Sequence, residues 1–227
     1  MISDQKLKIL LADDHPIVRK GLGLLIQREL DMAVCAEAAT ADETLSALTK
    51  YEPDLLILDL SLKNSNGLEL LKTIQRRIPN IPVLVLSVHD ENIYAERALR
   101  AGANGYIMKH EPIEQVLAAI RCVARGDVYF SDNVRSRLLR LAGNNVKQYQ
   151  GHTTPGRTSV SSLSNRELQV FEMIGRGHSS SEIARTFGVS LKTIETHMAR
   201  IKDKLELKNR IALLQSATLW VSKESAI

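Results

Sequence analysis

With 227 residues, 44% of them apolar, the chain has room for two modest cores; at 4% aromatic residues those cores must be filled by Leu, Ile, Val and Ala. Its charge is lopsided: residues 143–227 hold 12 Lys and Arg against 7 Asp and Glu, residues 1–142 hold 18 against 19, and a basic half of this kind meets polyanions. No apolar stretch reaches the ~18 residues of a membrane span, the N-terminus lacks a signal-peptide core, and Cys35 and Cys122 form no C-x-x-C pair, so a reduced, cytoplasmic protein with no membrane partner is expected.

Residues 7–125 alternate apolar runs of strand length with longer amphipathic stretches. Strands are expected at Lys8–Ala12, Ala33–Ala38, Asp54–Asp59, Pro82–Ser87 and Gly105–Met108, with helices between and after them at Pro16–Gln27, Ala41–Lys50, Gly67–Arg77, Asn92–Ala101 and Pro112–Arg125. Five β-then-α units predict an α/β fold, a parallel sheet covered on both faces. Right-handed crossovers leave the flavodoxin-like order 2-1-3-4-5 as the leading arrangement. Pro16 suits a first helical turn, and Gly102 and Gly105 flank the fifth strand where positive φ is expected.

A short amphipathic helix is expected within 128–141, where Leu138, Leu139 and Leu141 stand among arginines. From Gly143 to Ser162 the sequence turns to Asn, Gln, Gly, Thr and Ser, a linker composition. Order resumes at Leu163 as a small all-α domain. Ser164 or Asn165 can cap its first helix, with Glu167 at capping-box spacing and Leu168, Phe171 and Ile174 or Met173 turned inward. Ser180–Phe187, the break Gly188-Val189-Ser190 and Leu191–Leu205 then read as a helix-turn-helix. The face Leu191, Ile194, Met198, Ile201 and Leu205 is expected to pack inward. A last amphipathic helix over Arg210–Val221 carries Ala212, Leu213, Leu214, Ala217 and Leu219. The expected division is thus 6–126, a helix and linker over 127–162, and 163–222.

The parallel reading places five polar groups at one sheet edge: Asp13 and Asp14 after the first strand, then Asp59, Ser87 and Lys109. Adjacent carboxylates in a low dielectric repel, and Mg²⁺ relieves that repulsion while keeping several waters. Asp59 can attack a phosphoryl group in line to give an aspartyl phosphate. Lys109 can balance charge on that group, and the Ser87 hydroxyl can donate to it.

The pieces Leu11-Ala12-Asp13-Asp14-His15, Leu58-Asp59-Leu60, Leu86-Ser87 and Gly105-Tyr106-Ile107-Met108-Lys109 resemble the receiver domain of bacterial two-component response regulators. The resemblance implies that Asp59 accepts phosphate from a sensor histidine kinase. It implies that Asp14, Asp59 and the Ser61 carbonyl hold Mg²⁺, with Asp13 on a metal-bound water. Ser87 and Tyr106 would be a switch pair, moving inward once the phosphate arrives. Leu60–Gly67 departs from the pattern, lacking the Met and Pro of many relatives. Ser61 and His89, each two positions past a site residue, are expected to set the lifetime of the phosphate by positioning or excluding water.

On the second helix of the helix-turn-helix the face opposite the apolar one holds Lys192, Glu195, Thr196, Ala199, Arg200 and Asp203. Glu195 can accept from cytosine, Thr196 can reach a base edge, Ala199 can meet a thymine methyl and Arg200 can read guanine or hold phosphate. Lys192, Thr193, Lys202, Lys204 and Arg210 are expected on phosphates, which position without specifying. Leu163-Ser164-Asn165-Arg166-Glu167, Ser181-Glu182-Ile183-Ala184, Val189-Ser190 and Thr193-Ile194-Glu195-Thr196-His197 resemble the LuxR-type DNA-binding domain. Receiver and tail together are the arrangement of the NarL/FixJ family. That resemblance implies a transcription regulator of double-stranded DNA, homodimeric when phosphorylated, whose only chemistry is self-phosphotransfer and self-dephosphorylation at Asp59. Two other classes fit less well. An aspartate-nucleophile phosphatase would need Asp-x-Asp where the chain has Asp13-x-His15, and a dinucleotide site would rest on Gly21-x-Gly23, which falls inside a helix.

Overall fold

The computed structural model describes residues 6–62, 65–136 and 160–224, with side chains to 222. The chain divides into two compact units, Met1–Gln150 and Gly151–Ile227.

The first unit alternates β1 (Leu7–Ala12), α1 (Pro16–Gln27), β2 (Met32–Ala38), α2 (Ala41–Tyr51), β3 (Leu55–Leu58), α3 (Gly67–Arg77), β4 (Val83–Ser87), α4 (Glu91–Ala101), β5 (Gly105–Met108) and α5 (Ile113–Ala124). All strand pairs are parallel and the sheet order is 2-1-3-4-5, as expected. The middle strands β3 and β4 are buried at every residue, the signature of a sheet covered on both faces. One face is filled by Ile9, Leu11, Leu55, Ile57, Leu84, Leu86 and Ile107 against Leu22 and Ile26 of α1 and Val116, Ile120 and Val123 of α5. Each such side chain contributes about 1.5–3 kcal/mol by leaving water.

Helix starts follow from their caps. Pro16 opens α1, the Thr40 side chain accepts from the Glu43 N–H ahead of α2, and Asn66 accepts from Leu68 and Glu69 ahead of α3. Gly102 ends α4 at φ 105°, as its sequence position suggested. Gly105 differs: it is absent from the positive-φ residues, and a Cβ there would lie 2.9 Å from Leu84 and 3.1 Å from the Tyr129 carbonyl. Its smallness serves close packing. The third strand is shorter than expected, because Asp54 and Asp59 flank it.

Beyond α5 the chain stays against the sheet. Tyr129 forms a parallel bridge with Gly105, its N–H donating to Asn104 O (3.0 Å) and its carbonyl accepting from Tyr106 N (2.9 Å). Of the expected 128–141 helix, residues 132–136 are helical and 128–131 are not, because Tyr129 is taken up by the bridge to Gly105; 137–141 and the linker composition from 143 lie outside the described residues, which resume at Val160.

The second unit holds a 3-10 turn at Val160–Ser162 and helices α6 (Asn165–Gly175), α7 (Ser180–Phe187), α8 (Leu191–Lys204) and α9 (Arg210–Glu224). Ser164 with Glu167 and Ser179 with Glu182 form full capping boxes. Gly188 turns the chain between α7 and α8 at φ 64°. The core is Leu168, Phe171, Ile174, Ile183, Ile194, Ile201, Leu213 and Ala217. Leu191 is not part of it: as the first residue of α8 it projects beyond the packed stretch, which begins at Ile194, and is 45% exposed. On α9 only Leu213 and Ala217 of the expected apolar set are buried, whereas Leu214 and Leu219 face solvent. No described helix is long and apolar enough to cross a membrane.

Candidate functional site

The sheet ladder runs one residue past the strands and so fixes the main chain at the carboxyl edge. Asp13 N donates to Ala38 O (3.0 Å), Asp59 N to Ala12 O (2.8 Å) and Lys109 N to Ser87 O (2.8 Å). Residues distant in sequence thereby meet where open parallel sheets bind ligands.

Lys109 Nζ lies 2.7 Å from both Asp59 Oδ2 and Asp13 Oδ2, and its side chain is only 8% exposed. Burial pushes the Asp59 carboxyl up from its ordinary value, against the opposing pull of Lys109. On Lys109 burial works downward, but Asp59 and Asp13 outweigh it and hold the ammonium above its ordinary value. The other Asp59 oxygen, Oδ1, accepts the Ser61 N–H at 3.0 Å. Asp14 is set differently. Its Oδ1 is buried and accepts no hydrogen bond, although His15 Nδ1 lies 2.8 Å away.

That orphaned carboxylate oxygen is the test of fit for a cation. Ligand atoms of Asp13, Asp14, His15 and Asp59 all lie within 4.8 Å of one another. A hard divalent ion satisfies an oxygen donor set of this kind, and the residues present fit one.

The rest of the edge is tied together by hydrogen bonds. Ser87 is fully buried and its Oγ accepts the His89 N–H at 3.2 Å. The Tyr106 hydroxyl donates to His89 O at 2.7 Å, so this ring stands in the inward position, 1% exposed. His89 Nε2 lies 3.1 Å from Ser61 Oγ, and its ring stacks on Tyr94 with centroids 4.5 Å apart. The structure therefore brings together all the receiver residues singled out by sequence. It adds three whose part was not apparent there. His15 reaches back over the carboxylates. Arg19 donates to the Asp13 carbonyl and pairs with Glu37 at 2.8 Å. Gly67 packs so closely that a Cβ would lie 2.4 Å from Leu60, seating the main chain next to Asp59.

In the second unit, Lys192, Glu195, Thr196, Ala199 and Arg200 are exposed along one side of α8, with Arg210 exposed at the start of α9. Thr193 and Lys202 are half-buried; the Thr193 hydroxyl lies 2.8 Å from that of Ser190, the α8 cap. Lys204 is exposed as well, but it has a partner. Its Nζ lies 2.6 Å from the buried Glu167 carboxylate and donates to Ser162 O at 3.4 Å, so its charge is held within the unit.

A receiver-type sheet with a carboxylate–lysine pocket at its edge, in one chain with a helix-turn-helix unit, defines a response regulator with a DNA-binding output. Comparison with known proteins agrees. Residues 9–121 match the response regulator receiver domain, and residues 161–217 match the bacterial regulatory proteins of the luxR family. The chain is 37% identical to the oxygen regulatory protein NreC of Staphylococcus carnosus over 93% of this chain and 96% of that one, and 36% identical to NreC of Staphylococcus aureus over the same shares. Among solved structures it is similar to RcsB from Salmonella enterica serovar Typhimurium bound to promoter P1flhDC in the presence of the phosphomimetic BeF3⁻. There the identity is 26% and the TM-score 0.64, over 94% of this chain and 98% of that one. The chain belongs to the NarL/FixJ family of two-component response regulators.

Proposed function

We propose that Asp59 is the phosphoacceptor and that its phosphorylation by a sensor histidine kinase governs how the second unit engages double-stranded DNA. The observation that carries this reading is the Lys109 ammonium, 2.7 Å from both Asp59 and Asp13 in a nearly closed pocket. A carboxylate oxygen attacks phosphorus in line, and the bond to the kinase's leaving group breaks. Lys109 then exchanges a carboxylate partner for a phosphoryl oxygen, so its charge needs no long-range rearrangement. Asp14, Asp59 and the Ser61 carbonyl would hold Mg²⁺, with Asp13 on a metal-bound water. Mg²⁺ when bound offsets the charge of the phosphoryl oxygens. The Ser87 hydroxyl turns to the phosphoryl group, while Tyr106, expected to move inward with it, already stands inward without phosphate and backs it from there. The protein turns over no separate substrate; its chemistry is phosphorylation and dephosphorylation of its own side chain.

The exit from the first unit supports a path for the signal. Tyr106 N donates to Tyr129 O, Ser131 Oγ donates to Glu91 Oε1 at 2.7 Å, and Asn133 Nδ2 donates to Asn92 Oδ1 at 3.0 Å. The segment leading onward is thus bonded to β5 and to the first turn of α4, beside His89 and the switch pair. A shift of those elements on phosphorylation moves the root of the linker. It releases the DNA-binding unit, pairs two copies, or both. Residues 6–126 then serve as phosphoacceptor domain, 127–162 as connection and 163–222 as DNA-binding domain. Thr196, Glu195, Ala199 and Arg200 face bases, while Lys192, Thr193, Lys202 and Arg210 hold phosphates. We place the protein in the cytoplasm, where its promoter DNA lies.

Incubation with acetyl phosphate and Mg²⁺ tests the reading. A stoichiometric, acid-stable and base-labile adduct is expected, absent in Asp59→Asn, together with tighter operator binding. An adduct that survives in Asp59→Asn, or an operator affinity indifferent to the adduct, overturns it.

A further inference from the structure

We propose that His15 is a nitrogen ligand of the pocket, so that borderline transition ions such as Co²⁺ and Ni²⁺ bind with its imidazole in the coordination sphere whereas Mg²⁺ binds through oxygens alone. The inference rests on the acidic-pocket reading above and adds a metal preference that the receiver pattern of Asp13, Asp14 and Asp59 does not supply.

Three observations place the ring. His15 N donates to Asp13 Oδ1 at 2.8 Å, folding the chain back as it leaves β1. Pro16 opens α1, and its ring confines the backbone of the preceding His15 to the extended conformation seen. In this conformation the imidazole lies over the carboxylates: Nδ1 lies 2.8 Å from Asp14 Oδ1, 3.2 Å from Asp13 Oδ1 and 3.9 Å from Asp59 Oδ2. Bonds of roughly 2.0–2.2 Å from one ion to nitrogen and oxygen donors imply donor–donor separations of roughly 2.9–3.5 Å. The measured separations bracket that range. Asp14 Oδ1, the nearest donor, accepts no hydrogen bond, whereas Asp13 Oδ2 is engaged by Lys109.

The donor chemistry decides which ions gain. Imidazole suits borderline ions and adds little for Mg²⁺, which prefers oxygen ligands and keeps its waters. The ring is 58% exposed, so it can swing onto an entering ion or leave a Mg²⁺ site undisturbed. The same geometry also suits a ring that merely occupies the space beside Asp14 Oδ1. In that case it competes with every metal alike, and its loss would strengthen Co²⁺ and Mg²⁺ binding in parallel.

Calorimetric titration of the full-length protein at pH 8 with CoCl₂ and, separately, MgCl₂ distinguishes these roles. The isotherm component that Asp14→Ala removes is the pocket. In His15→Ala and His15→Gln the pocket's Co²⁺ affinity is expected to fall by about tenfold or more, with Mg²⁺ affinity little changed. Co²⁺ should also shift the His15 ring protons in the paramagnetic NMR spectrum of the native protein. Parallel changes for the two ions, or no change in either, overturn the role of His15. If neither ion shows an Asp14-dependent component, the acidic-pocket reading falls as well, an outcome distinct from loss of His15 selectivity.

Discussion

Ser131 donates its hydroxyl proton to Glu91 Oε1 at 2.7 Å, joining the segment that leaves the sheet to the first turn of α4. The hydroxyl also accepts the Val134 N–H at 3.2 Å, so one side chain both starts the helical stretch at 132–136 and anchors it. Ser131→Ala removes a charge-assisted bond of about 1.5–3 kcal/mol. It should leave the extent of phosphorylation by acetyl phosphate unchanged while loosening its coupling to output. The ratio of operator affinities with and without BeF₃⁻ is expected to fall about fivefold or more, within the usual span of coupling energies. Fluorescence anisotropy on labelled operator measures both affinities, and an unchanged ratio would show that the signal leaves by another route.

His89 lies across the site edge, its Nε2 3.1 Å from Ser61 Oγ and its ring stacked on Tyr94. Ser61 follows Asp59 by two residues, and we propose that the imidazole excludes water from an aspartyl phosphate there. His89→Ala should therefore shorten the life of the phosphorylated protein. If the shielding is worth about one hydrogen bond, ~1 kcal/mol, hydrolysis quickens by roughly fivefold. Decay of the radiolabelled phosphoprotein after removal of phosphodonor gives the rate. A slower decay would instead make His89 a base that activates the water.

The β-α alternation was open to reading because a parallel sheet buried on both faces writes itself as uninterrupted runs such as Leu55–Leu58 and Val83–Ser87. With the strand directions known, the meeting of Asp13, Asp59, Ser87 and Lys109 followed without knowledge of any side-chain contact. What the sequence did not disclose depends on which element crosses which. Gly105 resembles a turn glycine until Tyr129 is seen to pass 3.1 Å from where its Cβ would stand. Leu191 continues the apolar period of α8, yet packing begins one turn later. Lys204 belongs by spacing to a basic helix, and only the approach of α6 shows its partner to be Glu167.

Two lysines of one helix should accordingly behave differently. Both are exposed, but the Lys204 ammonium is paired with Glu167 and donates to Ser162 O. Lys192→Ala is expected to weaken binding to operator and to unrelated DNA alike, and to reduce the salt slope by about one unit. Lys204→Ala should leave that slope nearly unaltered and lower the melting temperature of the second unit. Titrations over a series of salt concentrations separate the two; equal slopes for both variants would return Lys204 to the DNA interface.

Glu167 should make that second unit acid-sensitive. The residue is 3% exposed; its carboxylate accepts the Ser164 N–H at 2.7 Å and meets Lys204 Nζ at 2.6 Å. Burial by itself would raise its pKa, but Lys204 and the Ser164 amide and hydroxyl outweigh burial and leave it below the ordinary 4.5. A depressed carboxyl pKa stabilises the folded state above the unfolded value and ceases to do so as pH falls through the folded one. The contribution is therefore complete above about pH 4.5 and is lost on further acidification. Glu167→Gln can keep the capping geometry but not the ion pair. At neutral pH it should cost about 1–2 kcal/mol, and below the folded pKa the two proteins should converge. Trp220, the chain's one tryptophan, lies 5.7 Å from Phe171 of α6 and reports unfolding of this unit by its fluorescence. A difference between native and variant that persists undiminished into acid would mean that the Glu167 charge contributes nothing to the fold.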